Sequence, residues 1–222
     1  MSRYGVFDIL GPVMIGPSSS HTAGAARLGL MARRILGDAP RRIALLLHGS
    51  FAATYKGHGT DLALIGGCLG FAPDDRRIRD ARKIAAESGI QVEVVTADLG
   101  DVHPNTARIL LEDLQGRRVE VTGASTGGGN ILITEVDGFP LELSGSYYAL
   151  VTQHIDRPGV VAAVAGILAD HWVNIAFMRL SRREKGTIAL MVVETDQAID
   201  EKALEAIRGC EGIQAVRMLP PI

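Results

Sequence analysis

The sequence predicts an α+β protein in two units: an N-terminal α+β unit over residues 1–145 and a C-terminal unit of order βαββαβ over residues 146–222. Helix-like and strand-like periodicities mix without a repeat through the first two thirds, whereas the last third runs strand, helix, strand, strand, helix, strand. Length agrees, because 222 residues with 47% apolar and 22% charged side chains suit one large or two small domains of about 100–200 residues each. The junction near Gly145 rests only on the change of pattern.

In the first unit, Ala23 to Gly37 predicts a helix with Leu28, Met31 and Ile35 on one face and Gly37 as its stop. Arg42 to Leu47 predicts a short strand, and Thr60 to Leu69 a helix broken by glycine. Ile78 to Ser88 predicts a helix that turns Arg79, Arg82, Lys83 and Glu87 to water and closes at Gly89. Ile90 to Ala97 alternates as a strand, and Asn105 caps a helix through Leu114. Arg118 to Thr122 and Ile131 to Val136 pair around a glycine-rich turn.

In the second unit, Tyr147 to Ile155 predicts a strand, and Asp156 with Pro158 a helix start. Val160, Val164, Ile167 and Leu168 then mark one helix face that ends near His171 and Trp172. Asn174 to Leu180 and Ile188 to Val193 form a hairpin around the charged turn Arg182 to Gly186. Asp200 and Glu201 open a second helix with Ala203, Leu204 and Ile207, closed by Gly209 and Gly212, and Ile213 to Leu219 is the last strand. That order builds a four-stranded antiparallel sheet with two helices on one face. The run from His154 through Asp156, Pro158 and Gly159 to Val160, followed by Asn174-Ile175, resembles an ACT domain, a ferredoxin-like regulatory module that binds amino acids. The resemblance implies an effector site of His154, Asp156, Gly159, Asn174 and Ile175, and a homodimer through this unit.

Composition removes several function classes. A net charge of −2, with no cluster of five or more basic residues, is wrong for a nucleic-acid surface, and 5% aromatic residues leave few stacking platforms. The longest uncharged stretch, Ile9 to Ala26, carries Ser18, Ser19, Ser20, His21 and Thr22, so it is neither a membrane span nor a signal peptide. A cytoplasmic protein is expected. The two cysteines, Cys68 and Cys210, form no metal spacing, and no metal ligands are assigned to this chain.

Three segments can carry chemistry. Gly16-Pro17-Ser18-Ser19-Ser20-His21-Thr22-Ala23 precedes a helix, where hydroxyls beside unpaired N–H groups suit a carboxylate or phosphate. An ordinary N-cap explains one such hydroxyl, whereas four hydroxyls and a histidine within five residues exceed capping. Tyr55-Lys56-Gly57-His58-Gly59-Thr60-Asp61 predicts a turn whose flanking glycines leave His58 uncovered, either as a proton carrier at the lip of a cleft or as an idle histidine on a surface turn. Ser125-Thr126-Gly127-Gly128-Gly129-Asn130 offers backbone N–H groups to an anion, with a loose hairpin turn as the alternative. His103-Pro104-Asn105-Thr106 reads chiefly as a helix cap, and His48 as a satisfied core histidine or a second cleft residue.

The run Phe7 to Thr22, the Gly57-His58-Gly59-Thr60-Asp61 segment, His103-Pro104-Asn105-Thr106, the glycine triplet and the ACT-like end together resemble one family, the beta subunit of bacterial iron-sulfur-dependent L-serine dehydratase. The first unit is also similar to the allosteric substrate-binding domain of some phosphoglycerate dehydrogenases. The resemblance implies conversion of L-serine to pyruvate and ammonia, with a [4Fe-4S] cluster on a separate alpha chain and none on this chain alone. Dehydrating serine needs a Lewis acid at the β-hydroxyl, a base for the α-proton and a clamp for the carboxylate. By resemblance, His21 and His58 are the catalytic candidates, and Ser18, Ser19, Ser20, Thr22, Ser125, Gly127, Gly128 and Gly129 the substrate- or effector-binding ones. Whether the serine-rich loop serves the catalytic or an allosteric pocket stays open, as do an amino-acid sensor and the regulatory half of a split phosphoglycerate dehydrogenase.

Overall fold

In the computed structural model, which describes residues 13–222, the chain divides into a unit ending at Gly138 and a second unit, Phe139–Ile222. The Phe7 to Pro12 part of the N-terminal motif lies outside the described residues. No helix of the described residues is long and apolar enough to cross a membrane.

A sheet organises the first unit. Its strands β1 (Pro40–Leu47), β2 (Gln91–Thr96), β3 (Thr106–Asp113), β4 (Arg118–Gly127) and β5 (Asn130–Val136) lie in the order β2-β1-β3-β4-β5. β1 and β2 are parallel, with Ile43 opposite Val92 and Leu45 opposite Val94, and the other neighbours are antiparallel. One face is apolar, with Ile43, Leu45, Leu47, Ile109, Val121 and Ile133 all at most 1% exposed. The opposite face is half-solvated, with Arg108 lying between Glu120 at 3.4 Å and Glu135 at 4.0 Å. This alternation is that of an antiparallel sheet covered on one side.

Helices α1 (Ala25–Leu36) and α3 (Thr60–Cys68) cross at backbone contact. A Cβ on Gly67 would stand 2.0 Å from the Ala26 carbonyl oxygen, and one on Gly29 2.2 Å from that of Leu64. Only glycine permits this approach. Between β1 and α3 lies α2 (Gly49–His58), so the segment around His58, expected as a turn, is a helix end. Gly59, at φ 68°, stops α2 and serves as the N-cap of α3. The helix expected over Ile78 to Ser88 divides into a 3-10 turn, Arg76–Asp80, and α4 (Ala81–Glu87).

The helix expected from Asn105 to Leu114 is instead strand β3. Its apolar residues satisfy helical and alternating periods alike, and pairing with β1 on one side and β4 on the other selects the strand. The apparent cap is real but local, because the Thr106 hydroxyl donates to the His103 carbonyl at 2.6 Å.

The second unit opens with β6 (Phe139–Leu143) and continues as β7 (Tyr148–Ile155), α5 (Val160–Asp170), β8 (Ile175–Arg182), β9 (Ile188–Thr195), α6 (Glu201–Arg208) and β10 (Ile213–Leu219). The order β10-β7-β9-β8, antiparallel throughout, is the expected βαββαβ arrangement. Its core joins Leu150, Met191 and Val193 of the sheet to Val164, Leu168, Leu204 and Ile207 of the helices. Asp200 caps α6 by accepting the Ala203 N–H at 2.8 Å. The start of α5 differs from expectation. Gly159, at φ 95°, is its N-cap, and Pro158 stands outside the helix. Asp156 accepts from Gly186 N–H at 3.0 Å and from Arg182 at 2.7 Å, tying the β8–β9 hairpin.

Candidate functional site

The turn before α1 sets the site. Ser18 is extended, its hydroxyl accepts the His21 N–H at 3.2 Å, and residues Ser19–Gly24 form a π-helical turn that runs into α1. Single π turns occur often at functional sites because they rotate side chains out of the α-helical register. The Thr22 hydroxyl donates to the Ser18 carbonyl, so Ser18 and Thr22 hold the turn together. Ser19 and Ser20 are partly exposed and make no side-chain hydrogen bond among the described residues. They remain available to a ligand.

His21 is held at both ring nitrogens. Its Nδ1 lies 3.3 Å from the Ser18 hydroxyl and its Nε2 2.9 Å from that of Ser50, in the first turn of α2. Its ring meets Phe51 edge-on at 5.3 Å and His58 at 4.9 Å between centroids. Burial first, and the neighbouring His58 second, push the His21 pKa below the ordinary imidazole value. His58 is the last residue of α2, and its buried Nδ1 has no hydrogen-bond partner among the described residues. Thus two sequence-predicted histidines, 37 positions apart in the chain, share one ring contact.

The other segments converge on the same turn. Ser125 lies in β4, not in the glycine turn, and is fully buried. A Cβ on Gly24 would fall 2.0 Å from its hydroxyl oxygen, which has no hydrogen-bond partner among the described residues. Gly127, Gly128 and Gly129 all adopt positive φ, and the Gly129 carbonyl accepts from Arg27 at 2.8 Å. The His103–Asn105 loop locks these parts together. The Pro104 carbonyl accepts from Ser50 N–H at 2.8 Å, and Asn105 exchanges hydrogen bonds with the Ser125 backbone. His48 accepts the Leu99 N–H at 3.1 Å and borders an open cavity of about 400 Å³ beyond the carboxyl ends of β1 and β2. Ser50, Phe51, Asn105 and Arg27 were not singled out as site residues from sequence.

Two family models match the chain. One is described as the serine dehydratase beta chain and matches residues 5–98, and the other is the ACT domain at residues 147–212. A Bacillus subtilis (strain 168) protein named "Probable L-serine dehydratase, beta chain" is 51% identical over 207 residues, 93% of this chain and 94% of that one. This chain belongs to the serine dehydratase beta-chain family. A second beta chain of this family, "L-serine dehydratase, beta chain" from Peptoniphilus asaccharolyticus, is 38% identical over 95% of this chain and 96% of its own length. A Synechocystis D-3-phosphoglycerate dehydrogenase is 29% identical over 86% of this chain but only 34% of its own.

In this beta chain the five expected effector residues do not gather within one copy. His154 stands opposite Ala189, and Ala189 opposite Arg182, at one end of the sheet. Ile175 pairs with Thr195, which faces Tyr148, at the other end. Six strand steps, roughly 20 Å, separate the ends. Asn174 is bound to Asp196 at 2.8 Å. His154 is itself buried, with Nδ1 unpartnered among the described residues, and burial lowers its pKa against the opposing pull of Asp156.

A folded-state pKa below the unfolded one favours the neutral ring. The stability so gained is complete above about pH 6.5 and is lost as pH falls through the folded value. Urea midpoints measured from pH 7.5 to 5 are therefore expected to decline more steeply for the parent chain than for His154→Leu. Parallel curves would remove His154 as a cause.

The donor set does not fit an iron–sulfur cluster. A cysteine-bound cluster takes three or four thiolates, and the chain has two cysteines. Cys68 is buried, which pushes its thiol up to about 12, and Cys210 directs its sulfur to the Ala206 carbonyl at 3.4 Å. Among the described residues no group of three or more His, Cys, Asp or Glu side chains could hold a metal ion.

Proposed function

We propose that this chain is the beta subunit of an L-serine dehydratase. The reaction removes water from L-serine, and the resulting aminoacrylate hydrolyses to pyruvate and ammonia. Because this chain's donors do not fit the [4Fe-4S] cluster, the cluster is assigned to a separate alpha chain, and this chain alone is inactive. The reading is supported most by the His21–His58 contact, with His21 fixed by Ser18 and Ser50 and the His58 Nδ1 left unpartnered among the described residues. Burial first, and His58 second, favour the neutral form of His21, which leaves an uncharged imidazole beside His58 where the weakly acidic α-proton of serine is to be removed. His58 takes that proton, and His21 orients it. Ser19, Ser20 and the glycine loop face the substrate as hydrogen-bond donors.

The test is reconstitution. Anaerobic mixing of this chain with its cluster-bearing partner is expected to give serine-dependent pyruvate, and neither chain alone is expected to do so. Full turnover by the partner by itself would remove the subunit assignment. An amino-acid sensor is the second reading, favoured by the ACT match at residues 147–212. Tight binding of serine by this chain, with no enzyme associating, would select it.

A homodimer through the second unit belongs to the same proposal. β8 is an edge strand of the four-stranded sheet and leaves Phe177 48% and Leu180 50% exposed. Such an edge is a template for pairing. Light scattering at micromolar concentration is expected to report twice the chain mass, and a stable monomer would contradict it.

A further inference from the structure

We infer that Arg27 is the residue that recognises the substrate's carboxylate, which makes the site selective for free α-amino acids over their amides and esters. The inference rests on the dehydratase reading above, and it names a residue that reading does not use. Arg27 follows the π turn on α1, six positions after His21, or about 9 Å along the helix axis. Its guanidinium reaches the Gly129 carbonyl in the loop between β4 and β5, two strands that both pack against the π turn carrying Ser19, Ser20 and His21.

Three features separate Arg27 from a surface arginine. First, it has no carboxylate partner among the described residues, whereas Arg41, Arg77, Arg82, Arg117 and Arg182 each have one. Burial without a counter-charge accordingly lowers its pKa. Second, Nη1 is anchored on the Gly129 carbonyl at 2.8 Å, while Nε is buried with no acceptor among the described residues. With Nη1 fixed, the Nε–Nη2 edge is oriented, and that edge suits the two oxygens of a carboxylate. Third, the anchor is the positive-φ glycine triplet, which follows Ser125 in the chain, and the Ser125 hydroxyl is also buried and unpartnered among the described residues. The Ser125 hydroxyl lies against Gly24, three residues before Arg27, so close that a Cβ there would fall 2.0 Å from it. An amino-acid carboxylate supplies the missing acceptors and charge together.

The experiment compares the parent chain with Arg27→Met and Arg27→Lys, each assembled with the cluster-bearing partner. Arg27→Met is expected to raise KM for L-serine roughly ten- to a hundredfold, the loss of one charge-assisted bidentate contact, with a smaller change in kcat. Arg27→Lys keeps the charge without the fork and is expected to fall between the two. Inhibition by L-serinamide is expected to be weak and equal in all three, a result that general damage to the fold would not give. An unchanged KM in Arg27→Met, or serinamide competing as well as serine does for binding to the parent, would overturn the inference while leaving the dehydratase reading intact. If the parent complex forms no pyruvate, that reading fails, and calorimetry with this chain alone decides for Arg27. Serine binding that Arg27→Met weakens and serinamide does not reproduce supports the inference. Equal binding by both proteins, or none by either, overturns it.

Discussion

Replacing His58 with alanine is expected to lower serine-dependent pyruvate formation by about two to four orders of magnitude, the range for losing a positioned proton carrier. The substitution removes the imidazole with the unpartnered Nδ1 and leaves the other parts in place. His21 keeps Ser18 and Ser50, and Gly59 still ends α2, because its N–H bonds the Tyr55 carbonyl. A second readout separates this role from a packing defect. His58 is one of two causes that depress the His21 pKa, the larger being burial. In His58→Ala the His21 titration, followed by NMR, is therefore expected to rise while staying below the ordinary 6.5. Full turnover in the variant would remove the proton-transfer role, and an unmoved His21 titration would remove the electrostatic contact between the rings.

Gly67→Ala is expected to destabilise the first unit by at least about 2 kcal/mol. Two effects oppose one another. Alanine is the better helix former by about 1 kcal/mol, and in a solvent-facing helix that gain would win. Here the new methyl would sit 2.0 Å from the Ala26 carbonyl oxygen and 2.7 Å from Leu30 N, both backbone atoms that yield only if the helices separate. Separation would expose Leu28, Leu64 and Ile65, all fully buried. Urea denaturation is the measurement, and a variant as stable as the parent would show that the crossing has slack. The same displacement carries the π turn away from β4, so activity is expected to fall with stability.

Local signals were enough for most elements. α1 and its Gly37 stop, the alternating β2 and the βαββαβ order of the second unit all follow from periodicity and caps that lie within a few residues. β3 was not legible because its eight residues fit two periods, and the decision belongs to strands on either side of it. The site divides in the same way. His21, His58 and Ser125 stood out through unusual neighbours in the chain. Ser50 and Arg27 look ordinary in sequence, and only contacts spanning 29 and 102 positions distinguish them. A free hydroxyl and a hydroxyl spent on its own turn also read alike, and for that reason Ser18 and Thr22 could not be separated from Ser19 and Ser20 in advance.

The opposite placement of Asp156 and Asn174 on the second unit's sheet has a consequence for control. No single small metabolite spans that distance, so one that engages both residues must be shared by two molecules of the chain. Responsiveness would then obey mass action: dilution alone would silence it, with every residue of the pocket intact.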